Sequence, residues 1–189
     1  MTDSQSRRLL EIGFKVATLP VGQEPVLSTK ARLATYPVNV MNANLVIWRS
    51  DLVAVRVRLD WACNPDEVAK VEALLVGSAA PCVTAPTVHR TWLLSWADPL
   101  HAVRSGRLFG LAAEVIAADG PGIIAPPSRL PGRTSGLVPV AWEDEENVEP
   151  APVPAALVAE FKRSGLLSWN AGGGWSVTPV TGSPASVGA

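Results

Sequence analysis

The segment at residues 52–60, LVAVRVRLD, carries three charged side chains at alternate positions near its end. These side chains are the first candidates for a catalytic or binding site. Strict alternation over this segment predicts a β-strand in which Arg56, Arg58 and Asp60 share one face and the valines share the other. We expect the charged face to line an open groove and the valines to pack on a helix. The alternative for Asp60 is an ordinary exposed residue paired with Arg56 or Arg58.

Arginine dominates the positive charge of this chain, with 12 arginines among 16 basic residues. The planar guanidinium group suits bidentate contacts with phosphate or carboxylate, so Arg90, Arg129 and Arg133 are candidates for phosphate contacts. Two ordinary explanations compete with this one. A genome rich in G and C favours arginine over lysine, and single surface arginines are more often only solvated.

The elements that must position these residues follow from periodicity and from turn residues. The patterns predict helices at 4–12, from 64 to about 76, and at 155–162, with Gly13, Gly77 and Gly165 as stops. They predict strands at residues 14–19, 44–48, 52–60, 81–85, 91–96, 111–116 and 123–125. This order indicates an α+β domain, with a mixed or antiparallel sheet and helices on one face.

Composition excludes several classes of protein. At 189 residues, with 48% hydrophobic residues and a net charge of -1, the chain is sized for one domain with a real core and lacks the basic excess of a generic polyanion binder. Neither a phosphate loop, nor a dinucleotide-binding GxGxxG motif, nor a GxSxG elbow is found.

Cys63 and Cys82 are too few for a zinc cluster and are expected in the core. Without a signal peptide or a membrane-spanning stretch, we expect a cytoplasmic protein.

Several separated fragments resemble one known family when they are taken in order. They are Gly13-Phe14, Leu19-Pro20, Gly22 and Pro25 in an opening loop, Asn44 before an apolar run, the strand 52–60, Thr87-Val88-His89, DGPGIIAPPS at 119–128, Pro131-Gly132 and Trp142. Together they resemble the N-terminal domain of bifunctional primase/polymerases (prim-pol), a branch of the archaeo-eukaryotic primase superfamily. The resemblance covers residues 9–142.

This resemblance implies a primase/polymerase-like, RRM-related fold and template-directed nucleotidyl transfer with Mg²⁺ or Mn²⁺. It implies that Asp60 and Glu114 hold the metal, because carboxylates from adjacent strands stabilise attacking and leaving oxygens through divalent ions. It implies that His89 binds the phosphates of the incoming nucleotide. Further contacts with nucleotide or nucleic acid are expected from Arg58, Arg90, Ser128, Arg129 and Arg133. The implied partners are a DNA or RNA template, nucleotides and a separate helicase, with no membrane.

Two positions depart from the pattern of the family. Arg58 stands where the family has the first acid of a D-x-D pair, and a cation there repels Mg²⁺ and pairs with Asp60. Glu24 stands where the family has lysine. The sequence therefore supports a second hypothesis equally, a catalytically inactive relative that binds nucleic acid, a nucleotide or a protein. A third is a domain unrelated to primases.

The candidate residues also have ordinary structural explanations. His89 is a solvated loop histidine in this alternative, and Glu114 is a structural or surface acid. The tryptophans could stack on bases, but core packing explains most of them. Along the chain, we expect a prim-pol-like domain at 1–145, an acidic and proline-rich linker at 146–154, a helix at 155–168 and a flexible tail at 169–189.

Overall fold

The computed structural model describes residues 2–35, 38, 42–59, 65–108, 110–133 and 136–169. Within these residues lie three α-helices, α1 (Thr2–Glu11), α2 (Pro65–Leu74) and α3 (Ala155–Arg163), and a 3₁₀ helix (Leu27–Arg32). The strands are β1 (Lys15–Pro20), β2 (Ala43–Trp48), β3 (Leu52–Arg58), β4 (Cys82–Ala85), β5 (His89–Ser95), β6 (His101–Val103), β7 (Gly106–Arg107), β8 (Ala113–Ile116), β9 (Ile123–Ala125), β10 (Ser128–Pro131), β11 (Leu137–Trp142), β12 (Ala151–Pro152) and β13 (Leu167–Trp169).

The strands form two main sheets. The smaller sheet has the order β1-β2-β9, and the larger has the order β10-β11-β4-β5-β3-β8-β7. Pairing is antiparallel except where β12 joins β5 in parallel, and β6 and β13 form a separate antiparallel pair. The fold is therefore α+β with mixed, mainly antiparallel sheets, as the order of predicted elements indicated.

The larger sheet separates two hydrophobic cores, and alternation along β3 assigns its residues to them. Ala54 is buried between the two sheets together with Ile47 of β2 and Leu93 of β5. Val55 and Val57 are fully buried on the opposite face, in the cluster that also contains residues of α2 and α3. The prediction that the valines of this strand pack against a helix is confirmed.

The three helices do not all lie on the same side of the larger sheet. Residues of α2 and α3 belong to the cluster around the valines, whereas Leu9 of α1 belongs to the cluster between the two sheets. The expectation of helices on one face is therefore wrong for α1, because its apolar residues pack with the smaller sheet. Gly13 follows α1 with φ +87, which is the left-handed stop that the sequence predicted.

The C-terminal part of the described chain packs against the larger sheet. In the predicted linker 146–154, Val148 is buried, and β12 pairs with Leu94 and Ser95 of β5. The predicted helix 155–168 ends at Arg163, and β13 follows it. Beyond Trp169 the predicted tail lies outside the described residues. No helix in the described part of the chain is both long enough and apolar enough to cross a membrane.

Candidate functional site

Strand register brings the predicted site residues to one face of the larger sheet. β3 lies between β5 and β8, so Arg58 stands opposite His89 and Arg56 stands opposite both Thr91 and Glu114. Residues directly opposite in an antiparallel pair project to the same face. Arg58, His89 and Glu114, which are far apart in sequence, are therefore neighbours. Asp60 lies outside the described residues, so its assignment stays a prediction.

An open groove with a cavity volume of about 400 Å³ lies against this face. Its charged lining residues are Arg56 and Arg58 of β3, Arg107 of β7, Glu114 of β8 and Glu24 from the loop after β1. Arg107 stands opposite Glu114 in the register, which extends the charged face by one strand. Three guanidinium groups and two carboxylates leave one net positive charge among these side chains. The groove is therefore suited to an anion.

Arg56 is the most unusual of these residues because it is charged and only 5% exposed. Its Nη1 donates a hydrogen bond to Oε1 of Glu114 at 3.3 Å, whereas its buried Nε has no hydrogen-bond partner among the described residues. Burial lowers the pKa of Arg56, and the charge of Glu114 acts in the opposite direction. A buried donor without a partner costs free energy, and proteins rarely keep one without a reason. The prediction that Arg56 lines the groove is confirmed.

The two carboxylates of the groove already face guanidinium groups. Oε1 of Glu114 lies 3.3 Å from Nη1 of Arg56 and 3.9 Å from Nε of Arg58. Oε2 of Glu24 lies 3.4 Å from Nη2 of Arg58. Within the described residues, no group of three or more acidic, histidine or cysteine side chains could hold a metal ion. The described groove residues therefore do not fit Mg²⁺ or Mn²⁺, since positive charge stands where the cation would bind.

His89 is a buried strand residue, so the alternative of a solvated loop histidine is wrong. It is 2% exposed on β5, and its Nδ1 lies 3.2 Å from Oγ1 of Thr91. Burial lowers its pKa to about 3, and the nearby Arg56 and Arg58 act in the same direction. At neutral pH the imidazole is uncharged, so it cannot contribute positive charge towards a phosphate.

We expect this histidine to make the protein less stable in acid. The unfolded chain takes up a proton on His89 near pH 6.5, whereas the folded chain does so only near pH 3. Between these values the unfolded state binds more protons, so stability falls as pH falls, by about 1.4 kcal/mol per unit from this group. His89→Gln should make the free energy of unfolding depend less on pH between these two values. Urea denaturation of both proteins between pH 7 and pH 4 measures the difference, and parallel curves would show that His89 is not the group responsible.

Arg90 faces away from the groove, although it is the neighbour of His89. Its Nε and Nη2 donate to the two carboxylate oxygens of Glu143, each at 3.0 Å, and its Nη1 bonds with Glu72 of α2. The guanidinium also lies 5.1 Å from the ring centroid of Trp92. Arg90 therefore joins a helix to the opposite face of the sheet, and the geometry gives it no part in nucleotide contact at the groove.

Ser128 and Asn44 act as structural links. The Ser128 hydroxyl accepts a hydrogen bond from the Leu45 amide at 2.8 Å and donates one to the Ala125 carbonyl at 2.5 Å, and the residue is buried. Asn44, fully buried, bonds to the carbonyl and the amide of Arg129. These bonds hold β10 against β2, so the hydroxyl of Ser128 is not directed at a ligand.

The remaining arginine candidates lie on or beside β10. Arg129 and Arg133 are exposed and are not among the residues that line the groove. The structure thus brings Arg58, His89 and Glu114 together, and leaves out Arg90, Ser128, Arg129 and Arg133.

Sequence reasoning did not single out Arg107 as a site residue, and it noted Glu24 only as a departure from the family pattern. Arg107 belongs to a two-residue strand, too short for an alternation signal. Glu24 lies in a loop whose path depends on tertiary contacts. Neither position carried a local pattern that could have placed it in this groove.

The tryptophans mostly pack rather than stand free for stacking. Trp92 and Trp96 belong to or pack against the core around the valines of β3, and Trp142 packs against the other core. Trp48 lies beneath the ammonium groups of Lys15 and Lys30, each 5.5 Å from its ring centroid. Cys82 is buried, as expected, and burial raises the pKa of its thiol to about 12. Cys63 and Trp61 lie outside the described residues.

In comparisons with known proteins, no family model matches this sequence and no curated protein is significantly similar to it.

Proposed function

We propose that this chain is a primase/polymerase-like domain that binds the phosphate groups of nucleotides or single-stranded nucleic acid without catalysing nucleotidyl transfer. The observation that carries the proposal is the buried guanidinium of Arg56, whose Nε has no hydrogen-bond partner in the described part of the chain, beside Arg58 and Arg107 in an open groove. Guanidinium groups are well suited to phosphate because their donors match its oxygens bidentately.

The resemblance supplies the identity of the anion. The resemblance implies that His89 and Glu114 are site residues, and these positions flank β3 on the same face. Glu114 lines the groove, whereas His89 is buried opposite Arg58. A chance resemblance gives no reason for the two positions to share one face of the sheet, which favours a descendant of a polymerase site over an unrelated domain, and phosphate is the anion that such a site handles.

The arrangement of charge favours binding over transfer. Two-metal phosphoryl transfer needs carboxylates that are free to bind cations. Here Glu114 contacts two arginines and Glu24 contacts one of them. The arginines can neutralise phosphate directly, but they supply neither a general base nor a Lewis acid for attack on phosphorus.

Titration with inorganic triphosphate and with a fluorescein-labelled dT oligomer of about 12 nucleotides tests this proposal. The titration is carried out in buffer with a chelator, so that binding cannot depend on divalent ions. We expect Arg58→Gln and Arg107→Gln each to weaken binding about fivefold or more, and to reduce the salt dependence of oligomer binding by about one charge. Arg129→Gln removes the same charge from an exposed site outside the groove and should leave triphosphate affinity unchanged.

Three results would contradict the proposal. Equal weakening by all three variants would show diffuse electrostatic attraction rather than a site. Undetectable binding of both probes at low salt would remove the phosphate-binding function. Templated primer extension by the wild-type protein with Mn²⁺ would show that nucleotidyl transfer survives.

A further inference from the structure

Glu24 is a carboxylate that the protein itself places against its proposed phosphate site. Its Oε2 lies 3.4 Å from Nη2 of Arg58, and its side chain is 37% exposed. Its charge also raises the pKa of Arg56, against the larger effect of burial. A carboxylate on a guanidinium makes the same type of contact as a phosphate oxygen on a guanidinium. Glu24 therefore occupies a position that an external anion would use.

The backbone before Glu24 is held in place by hydrogen bonds to other elements. The Gln23 carbonyl accepts a hydrogen bond from Nδ2 of buried Asn44 at 3.1 Å, and the Gln23 amide donates to the Pro20 carbonyl at 3.1 Å. The Gly22 amide donates to the Arg129 carbonyl at 3.1 Å. The loop is thus tied to β2 and β10, so its approach to Arg58 is a property of the fold.

Glu24 also lies between two cavities. It lines the arginine groove and a second cavity of about 330 Å³, to which Arg32 of the 3₁₀ helix also contributes. The Glu24 carboxylate therefore contributes negative charge to both cavities.

We propose that Glu24 is an internal competitor that lowers the affinity of the groove for phosphate, a proposal that rests on the phosphate-binding function given above. Binding of phosphate to Arg58 displaces the Glu24 carboxylate into solvent. Ion pairs between exposed groups are weak and are screened by salt, so the competition reduces affinity without abolishing binding. No covalent bond is made or broken in this step.

Calorimetric titration with inorganic triphosphate tests the competition. We expect Glu24→Gln to bind about two- to fivefold more tightly than wild type, the factor that corresponds to loss of one exposed ion pair. Glu24→Asp keeps the charge on a shorter side chain and should give part of this gain. Glu149→Gln is the matched control, because this exposed glutamate precedes β12, which pairs at the end of β5 remote from His89. It should bind as wild type does.

A double variant distinguishes competition from general electrostatics. In an Arg58→Gln background, the Glu24→Gln change should give a clearly smaller gain, because the pair with Arg58 is already broken and only the effect of the Glu24 charge near Arg56 remains. An equal gain in both backgrounds would overturn the competition. Affinity that depends on Arg58 but is identical in wild type, Glu24→Gln and Glu149→Gln would also overturn it, and would leave the phosphate-binding function standing. Absence of triphosphate binding in every variant would remove both proposals.

Discussion

Arg58→Asp is expected to bind Mn²⁺ about tenfold or more tightly than the wild-type protein, which should itself give no detectable primer extension with Mg²⁺. In the wild type, Nε of Arg58 lies 3.9 Å from Oε1 of Glu114, where its charge repels a divalent ion. The substitution removes this repulsion and adds a carboxylate ligand on the same strand face as Glu114. Arg58→Ala should gain less, because it removes repulsion without adding a ligand.

Calorimetric Mn²⁺ titration of the wild type, Arg58→Asp and the double variant with Glu114→Ala measures this effect, alongside extension assays on a primed template. The double variant should lose most of the gain, since Glu114 lies on the neighbouring strand and shares the face that carries residue 58. Equal Mn²⁺ affinity in all three proteins would remove the argument that this groove descends from a polymerase site. Extension by the wild type that survives loss of Asp60 would overturn the assignment of the site residues.

The second large effect is expected for Arg56→Met, which should weaken phosphate binding without destabilising the folded protein. Arg56→Met should lower affinity for inorganic triphosphate about tenfold or more, because it removes the guanidinium at the buried side of the groove. The free energy of unfolding should stay within about 1 kcal/mol of the wild-type value, because loss of the ion pair with the partly exposed Glu114 is offset by removal of a buried charge. Glu114 is 32% exposed and keeps Arg58 nearby, so it is not left as a buried unpaired charge.

Arg90→Met is the matched control for Arg56→Met, since the two arginines lie on adjacent strands and face opposite sides of the sheet. It breaks the contacts with Glu143 and Glu72 and the packing over Trp92, so stability should fall by about 1–3 kcal/mol. Triphosphate binding should be unchanged. Urea denaturation and calorimetry measure both quantities. If Arg56→Met were the more destabilising change and still bound triphosphate, Arg56 would be a structural ion-pair residue and not a ligand for phosphate.

Elements whose patterns are local could be predicted from the sequence. Alternation over residues 52–60 predicted a strand with valines on one face and Arg56 and Arg58 on the other, and β3 has this arrangement. Gly13 marked the end of the first helix because glycine adopts the left-handed conformation without the steric cost that a side chain imposes. The α+β class followed from the order of such elements. Each of these features depends on contacts or conformations within a few residues.

The contacts of each candidate site residue depend on how distant strands pair. Arg56 and Glu114 are 58 residues apart, and their ion pair depends on the register of β3 against β8. Because β5 begins at His89, this histidine is buried on the face that carries Arg58, and Arg90 projects to the opposite face, since successive strand residues alternate. Pairing register between distant strands is set by the packing of both cores at once, and no local pattern carries it. The sequence could therefore identify charged residues as candidates, while the fold determined which of them form ion pairs and, within the described residues, left the buried Nε of Arg56 without a hydrogen-bond partner.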